Sequence, residues 1–240
     1  MAASLVATVT AATPKRPLDP AAARWVEQTL KRLTLDEKIG QLIVTSLNGT
    51  FTGVDSDAYA RLRHLVRDVK VGGILVFGGT EQMPGLMLNP VYGNGGSAAR
   101  KGDVFATAAV LNRLQREADV PLLNSADFEG GVGYRLAGAT RLARAMAMGA
   151  TRDTDLAYRA GKVAAEEGRA VGVGVNFYPI VDVNNNARNP IINIRSFGED
   201  VQLVEELARL GPLDFEPVRE MREEFGLAHP AGLCHLYSPC

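Results

Sequence analysis

The chain alternates between two hydrophobic rhythms. Residues 20–33 place Trp25, Val26, Leu30 and Leu33 near one helical face, behind an Asp19-Pro20 start that supplies an N-cap and a first-turn proline. Thr34 to Glu37 reads T-L-D-E, a capping box that opens a second short helix. The apolar run Leu42, Ile43, Val44 is then a candidate first strand. Tyr59, Leu62, Leu65, Val66 and Val69 fall at helical spacing within 55–70, Gly72-Gly73 breaks the pattern, and residues 74–77 predict a second strand. Helices over 103–118, 153–171 and 200–210 alternate with strands over 120–126 and 173–181.

Short, continuous apolar strands alternating with helices imply a parallel sheet covered on both faces, hence an α/β fold with right-handed crossovers. Two closures compete, an open doubly wound sheet and an eight-stranded (β/α) TIM-type barrel. Only about four strand-helix units precede Leu210, whereas a full barrel typically takes about 250 residues. The expected organisation is a disordered segment or signal remnant over 1–18, a partial barrel domain over 19–210, and an atypical tail over 211–240. Residues 78–102, rich in Gly, Pro and Asn, read as a long functional loop.

Composition narrows the function classes. The 240 residues are 46% hydrophobic and 22% charged, with 26 Lys plus Arg against 27 Asp plus Glu. A net charge of -1 offers no basic excess for bulk-charge binding to nucleic acid. No stretch reaches the roughly 18 to 20 apolar residues of a membrane helix. The small apolar start, residues 1–13, lacks a basic segment before it, since Lys15 and Arg16 follow it; exported (periplasmic or secreted) and cytoplasmic locations both stay open. Cys234, His235 and Cys240 lack a fourth ligand spaced for zinc, so an incidental tail is the simpler reading. The glycines, 25 in number, suggest turns and close backbone approaches.

Candidate chemistry gathers at the carboxyl ends of the predicted strands, where parallel α/β folds place their sites. One cluster is Asp127, Glu129, Gly130, Gly131 and Arg135; a second is Asn176, Asp182, Asn184, Asn185, Asn186, Arg188 and Asn189; a third is Arg195, Glu199 and Asp200. Asp127 and Glu129 share a side of an extended strand. Such a pair suits glycosidic chemistry or sugar binding, or a divalent metal. Alternatively Glu129 merely braces the Gly-Gly turn while Asp127 alone faces the pocket. The Asn run also reads as an ordinary loop, and Arg195 as the local ion-pair partner of Glu199 or Asp200. His64 reads as structural within its helix. Neither Gly131-Val132-Gly133 nor Gly172-Val173-Gly174 completes a dinucleotide loop, and there is no phosphate loop or nucleophile elbow.

Six segments together resemble the N-terminal domain of the family-3 glycoside hydrolases. They are LTLDEKIGQL (33–42), GGILVFGGT (72–80), DFEGG (127–131), GATRLARAMAMGAT (138–151), NFYPIVDVN (176–184) and NPIINIRSFGED (189–200). The resemblance implies a barrel and retaining exo-hydrolysis of terminal β-linked sugars, without metal or organic cofactor. DFEGG resembles the β-N-acetylhexosaminidase branch, which implies terminal N-acetylglucosamine as the carbohydrate substrate. By the same resemblance Asp127 hydrogen-bonds sugar hydroxyls, Arg195 lines the cleavage subsite, and Arg135 is a sugar contact. The family pattern continues with a Lys-His-Phe-Pro-Gly-His-Gly-type segment and a nucleophilic Asp; neither follows Leu210, and His229-Pro230-Ala231-Gly232 echoes that segment only weakly. The catalytic nucleophile and acid/base are therefore unassigned, and the chain is expected to be inactive alone. A non-catalytic carbohydrate-binding remnant and an unrelated metal-dependent α/β barrel enzyme are the alternatives. The open sheet edges of a partial barrel also imply self-association.

Overall fold

A computed structural model describes residues 19–78, 101–186 and 188–209. The expectations for residues 1–18, for 79–100 within the long loop, and for the tail with His229, Cys234, His235 and Cys240 lie outside the described residues.

Local sequence signals start the helices. Helix α1 (Pro20–Arg32) begins where the Asp19 carboxylate accepts from the amides of Ala21 and Ala22. Helix α2 (Leu35–Gly40) carries the full capping box: the Thr34 hydroxyl accepts from the Glu37 amide while the Glu37 carboxylate accepts from the Thr34 amide at 2.8 Å. Strand β1 (Val44–Asn48) leads to helix α3 (Asp57–Arg67), capped by Ser56, and to strand β2 (Gly73–Phe77). After the two-residue strand β3 (Gly102–Asp103), Asp103 caps helix α4 (Val104–Glu117). Strands β4 (Ser125–Ala126) and β5 (Leu136–Ala137) flank a 3₁₀ turn, Val132–Tyr134. Helices α5 (Ala145–Thr151) and α6 (Thr154–Ala170) precede strand β6 (Val175–Asn176), and Asp200 caps helix α7 (Val201–Arg209).

The four principal strands pair in the order β1-β2-β4-β6, every pair parallel, with Thr45 opposite Ile74, Leu75 opposite Ser125 and Ala126 opposite Asn176. Spatial order thus follows chain order without the reversal that marks a doubly wound sheet. This is an arc of a (β/α) TIM-type barrel, with four strands in this sheet among the described residues against the eight of a closed one. Ile74, Val76, Ala126, Leu111, Leu114 and Phe128 are almost wholly buried in the main core. A second cluster joins Ala145, Met148, Phe197, Val204 and Leu207.

Several boundaries differ from the pattern-based expectation. The strand expected at 42–44 starts only at Val44, and Leu42 is exposed. The strands expected at 120–126 and 173–181 shrink to Ser125–Ala126 and Val175–Asn176. Pro121 and Pro179 have no amide to give a ladder, and the Asn124 carbonyl is shared by the amides of Gly174 and Val175. Helix α5 was not anticipated; it forms on a run of small residues whose Gly149 lies against the Phe197 carbonyl, where an added Cβ would come within 1.8 Å.

Beyond the strand ends, backbone bonds extend the sheet into the rim. The Gly49 amide donates to Phe77, the Asp103 amide to Gly49, and the Gly102 amide to Arg135. The buried Thr107 hydroxyl also donates to the Gly49 carbonyl, at 3.1 Å. The residues after β1, β2 and β4 are therefore joined into one layer.

Candidate sugar-binding rim

Asp127, Phe128 and Glu129 follow directly from β4, and their side chains alternate. Phe128 is fully buried in the main core, beside Gly168 of α6. Asp127 and Glu129 fall to the opposite side, as a two-residue period requires. The Asn176 side chain at the end of β6 accepts from the Phe128 amide at 3.0 Å, which ties the segment to the neighbouring strand.

Each carboxylate has its own guanidinium. Arg135 donates from Nη2 to Asp127 Oδ2 at 2.8 Å and from Nε to the Asp127 carbonyl at 3.1 Å. Its guanidinium also lies over the rings of Tyr134 and Phe77, with 4.8 and 5.6 Å to the centroids. Arg195 grips Glu129 with Nε, 3.0 and 2.9 Å from the two carboxylate oxygens, and with Nη2, 2.7 Å from Oε1. Arg144 approaches Glu129 from another side at 3.5 Å and stacks on Tyr134 at 4.1 Å.

Exposure separates these groups into two layers. The Glu129 and Arg135 side chains are 5% and 10% accessible, whereas those of Asp127 and Arg195 keep 25% each. The outer pair can therefore meet a ligand while the inner pair supports it. Burial, and then the neighbouring Glu129 charge, push the Asp127 carboxyl above its ordinary pKa, and Arg135 pulls in the other direction. Glu129 holds the Arg195 guanidinium more firmly protonated than usual. The buried Tyr178 hydroxyl, desolvated and near Glu129, is pushed up to about 12.

The structure thus brings together Asp127, Arg135 and Arg195, residues separated by as much as 68 positions (195 minus 127). It also corrects two local readings. Arg195 pairs with Glu129 rather than with Glu199 or Asp200. Glu129 is not the brace of the Gly-Gly turn: the Gly130 carbonyl accepts from the Leu142 amide, and the Gly133 amide donates to the Thr140 carbonyl. Thr140 is in turn held by Glu167 of α6. Gly131 has φ 77° and packs against the Thr140 carbonyl, so a side chain there would be both strained and crowded. The Asn cluster divides. Asn176 braces the rim, while Asn186 and Asn189 make local turns with the amides of Arg188, Ile191 and Ile192. His64 faces Asp68 one turn away on an exposed helix surface. Arg144 and Tyr178 were missed by sequence reasoning, because nothing local marks either as a neighbour of Glu129.

Among the described residues no group of three or more His, Cys, Asp or Glu side chains is placed to hold a metal ion. Nor is any helix long and apolar enough to cross a membrane.

Comparison with known proteins agrees with this fold. Over 187 residues the chain is 35% identical to a β-N-acetylglucosaminidase/β-glucosidase of Cellulomonas fimi, covering 78% of this chain and 28% of the relative. A family-3 β-N-acetylglucosaminidase from Paenibacillus sp. str. FPU-7 superposes with a TM-score of 0.60 at 34% identity, over 77% of this chain and 31% of that one. A β-glucoside phosphorylase bound to 2FGlc gives a TM-score of 0.63 at 27% identity, over 80% of this chain and 30% of that one. The chain therefore spans about a third or less of the length of these relatives. Residues 34–210 match the glycosyl hydrolase family 3 N-terminal domain, and the chain belongs to that family.

Proposed function

We propose that the rim binds the terminal sugar of a β-linked glycoside, N-acetylglucosamine in the first instance, as part of a retaining exo-glycosidase. The observation that carries this reading is the outer pair, a carboxylate and a guanidinium each one-quarter exposed and each held from beneath by an oppositely charged partner. Asp127 offers oxygens to sugar hydroxyls, and Arg195 offers N–H donors to hydroxyl or carbonyl oxygens. Arg135 orients Asp127 and adds donors of its own.

The same geometry supports gripping rather than bond cleavage. Retaining hydrolysis needs one carboxylate free to attack and another group able to donate a proton, about 5 to 5.5 Å apart. Here Asp127 is engaged by Arg135, and both Glu129 oxygens are engaged by Arg195. Neither rim carboxylate is free to attack, so this rim grips the sugar rather than cleaving it. A metal-dependent reading fares worse, since a divalent cation at Asp127 and Glu129 would stand among Arg135, Arg144 and Arg195. Self-association through the outer strands β1 and β6 belongs to the same proposal.

Calorimetric titration of the purified chain with N-acetylglucosamine tests the binding reading. Saturable binding that Asp127→Ala weakens supports it, and no binding in the wild type overturns it. A chromogenic β-N-acetylglucosaminide, assayed with and without inorganic phosphate, separates hydrolysis from phosphorolysis. Turnover of about one per second or faster with either acceptor, in the ordinary enzyme range, overturns the assignment of a gripping rather than cleaving site.

A further inference from the structure

We propose that Glu129 is the positioning residue of the rim: it fixes the Arg195 guanidinium in the pose that meets the ligand, while touching no ligand itself. The inference rests on the sugar-binding reading above and adds a member that no assigned sugar contact includes.

The argument begins with what Arg195 would do without a partner. It is the last residue of a 3₁₀ turn, Asn193–Arg195, and its side chain reaches from there to Glu129. An unheld arginine loses rotamer freedom when it binds. Here that ordering is already done. Nε and Nη2 are committed to Glu129, and Nη1 donates to the Ile191 carbonyl at 3.2 Å. Of the five N–H groups of a guanidinium, one on each terminal nitrogen stays uncommitted among the described residues. Those two set the direction in which a ligand oxygen is met.

Glu129 itself is poorly placed to touch sugar. Its side chain is 5% accessible, and both oxygens face Arg195. Arg144 closes a further side, held in place by the Tyr134 ring. A second effect follows from the same location. The Glu129 carboxylate raises the Asp127 pKa alongside burial. The charged and titratable groups around this pair are Arg135, Tyr134, Arg144, Tyr178 and Arg195. Replacing Glu129 by a neutral side chain therefore does two things at once: it releases Arg195, and it lets Asp127 ionise at lower pH.

The test compares wild type with Glu129→Gln, Glu129→Asp, Arg195→Ala and the double variant Glu129→Gln/Arg195→Ala. The first readout needs no sugar: the Nε–Hε resonance of Arg195 and its exchange rate with water. We expect a slowly exchanging proton in wild type, exchange at least about ten-fold faster in Glu129→Gln as expected for a lost charged hydrogen bond, and partial protection in Glu129→Asp. The second readout is N-acetylglucosamine affinity. Loss of a charge-held donor should weaken it by about ten- to hundred-fold, and the double variant should lose little more than Arg195→Ala alone, because Glu129 acts through Arg195. The third is the midpoint of Asp127 titration, which should move down in Glu129→Gln as the repelling charge is lost. Unchanged Arg195 exchange in Glu129→Gln, or additive affinity losses, overturns the positioning role. If Glu129→Gln does not fold, rapid Arg195 exchange in the wild type refutes the proposal and slow exchange with loss in Glu129→Asp supports it. If wild type binds no sugar, the sugar-binding reading falls, while the exchange readout still decides whether Glu129 holds Arg195.

Discussion

Asp127 is a carboxylate whose surroundings pull both ways. Burial and Glu129 raise its pKa, and Arg135 opposes them. A group whose folded pKa lies above its unfolded value binds its proton more tightly when folded. Stability therefore falls as pH rises from the ordinary carboxylate value through the raised one, and it is recovered on acidification through the same window. Sugar binding runs in the opposite sense, since hydroxyl donors need the ionised form. Affinity for N-acetylglucosamine should decrease as pH falls through a midpoint above the usual Asp range, and Asp127→Asn should abolish that dependence. Calorimetry across that range checks it; an unchanged pH profile in Asp127→Asn would remove Asp127 from the ligand contacts. The Asp127–Arg135 pair was partly legible in the sequence, because eight residues across a Gly-Gly turn can fold back on themselves. The Glu129–Arg195 pair was not. Local spacing favoured Glu199 and Asp200, and only the parallel alignment of β4 and β6 carries the 190s to the 120s.

Elements were legible where capping and period agree, and blurred where pairing decides. Asp19, Thr34, Ser56, Asp103, Asp153 and Asp200 all cap the helices that follow them. Strand ends, by contrast, depend on which neighbour has an amide to give, as Pro121 and Pro179 show. Two substitutions probe the element scale. Phe128→Ala removes a fully buried ring from beneath the rim and should cost about 3–5 kcal/mol of stability. Gly78→Ala acts differently. Its Cβ would lie 1.8 Å from the Arg135 carbonyl, so either the end of β2 or the backbone of Arg135 must move. A loss of about 1–3 kcal/mol is expected for such overpacking, accompanied by weaker sugar binding. Chemical denaturation and the titration above check both; a Gly78→Ala protein with wild-type affinity would show that the rim does not depend on this contact.

At the scale of the whole molecule, the sequential parallel order puts the carboxyl ends of β1, β2, β4 and β6 on one side, so that side chains following β4 and β6 meet at one rim. It also leaves β1 and β6 as outer strands among the described residues. Ile39, Leu42, Ile43 and Val44 stand exposed near one edge, and Phe177 and Val181 near the other. Unpaired strand edges flanked by apolar side chains recruit other strands. The purified 240-residue chain should therefore sediment as dimers or larger species. A monodisperse monomer with a single cooperative unfolding transition, seen by analytical ultracentrifugation and calorimetry, would contradict this. An open arc has a further consequence, for how much its rim can achieve. In a closed barrel the polar groups at the strand ends look across a narrow mouth at one another, and little water stands between them. Among the residues described here, Asp127 and Arg195 each keep a quarter of their side-chain surface open to water. Hydrogen bonds to a ligand on that open side then compete with water. The grip on a sugar is thus limited by the water on that side as well as by which groups are present. Whatever strand partner walls off that side would strengthen each contact without touching the ligand.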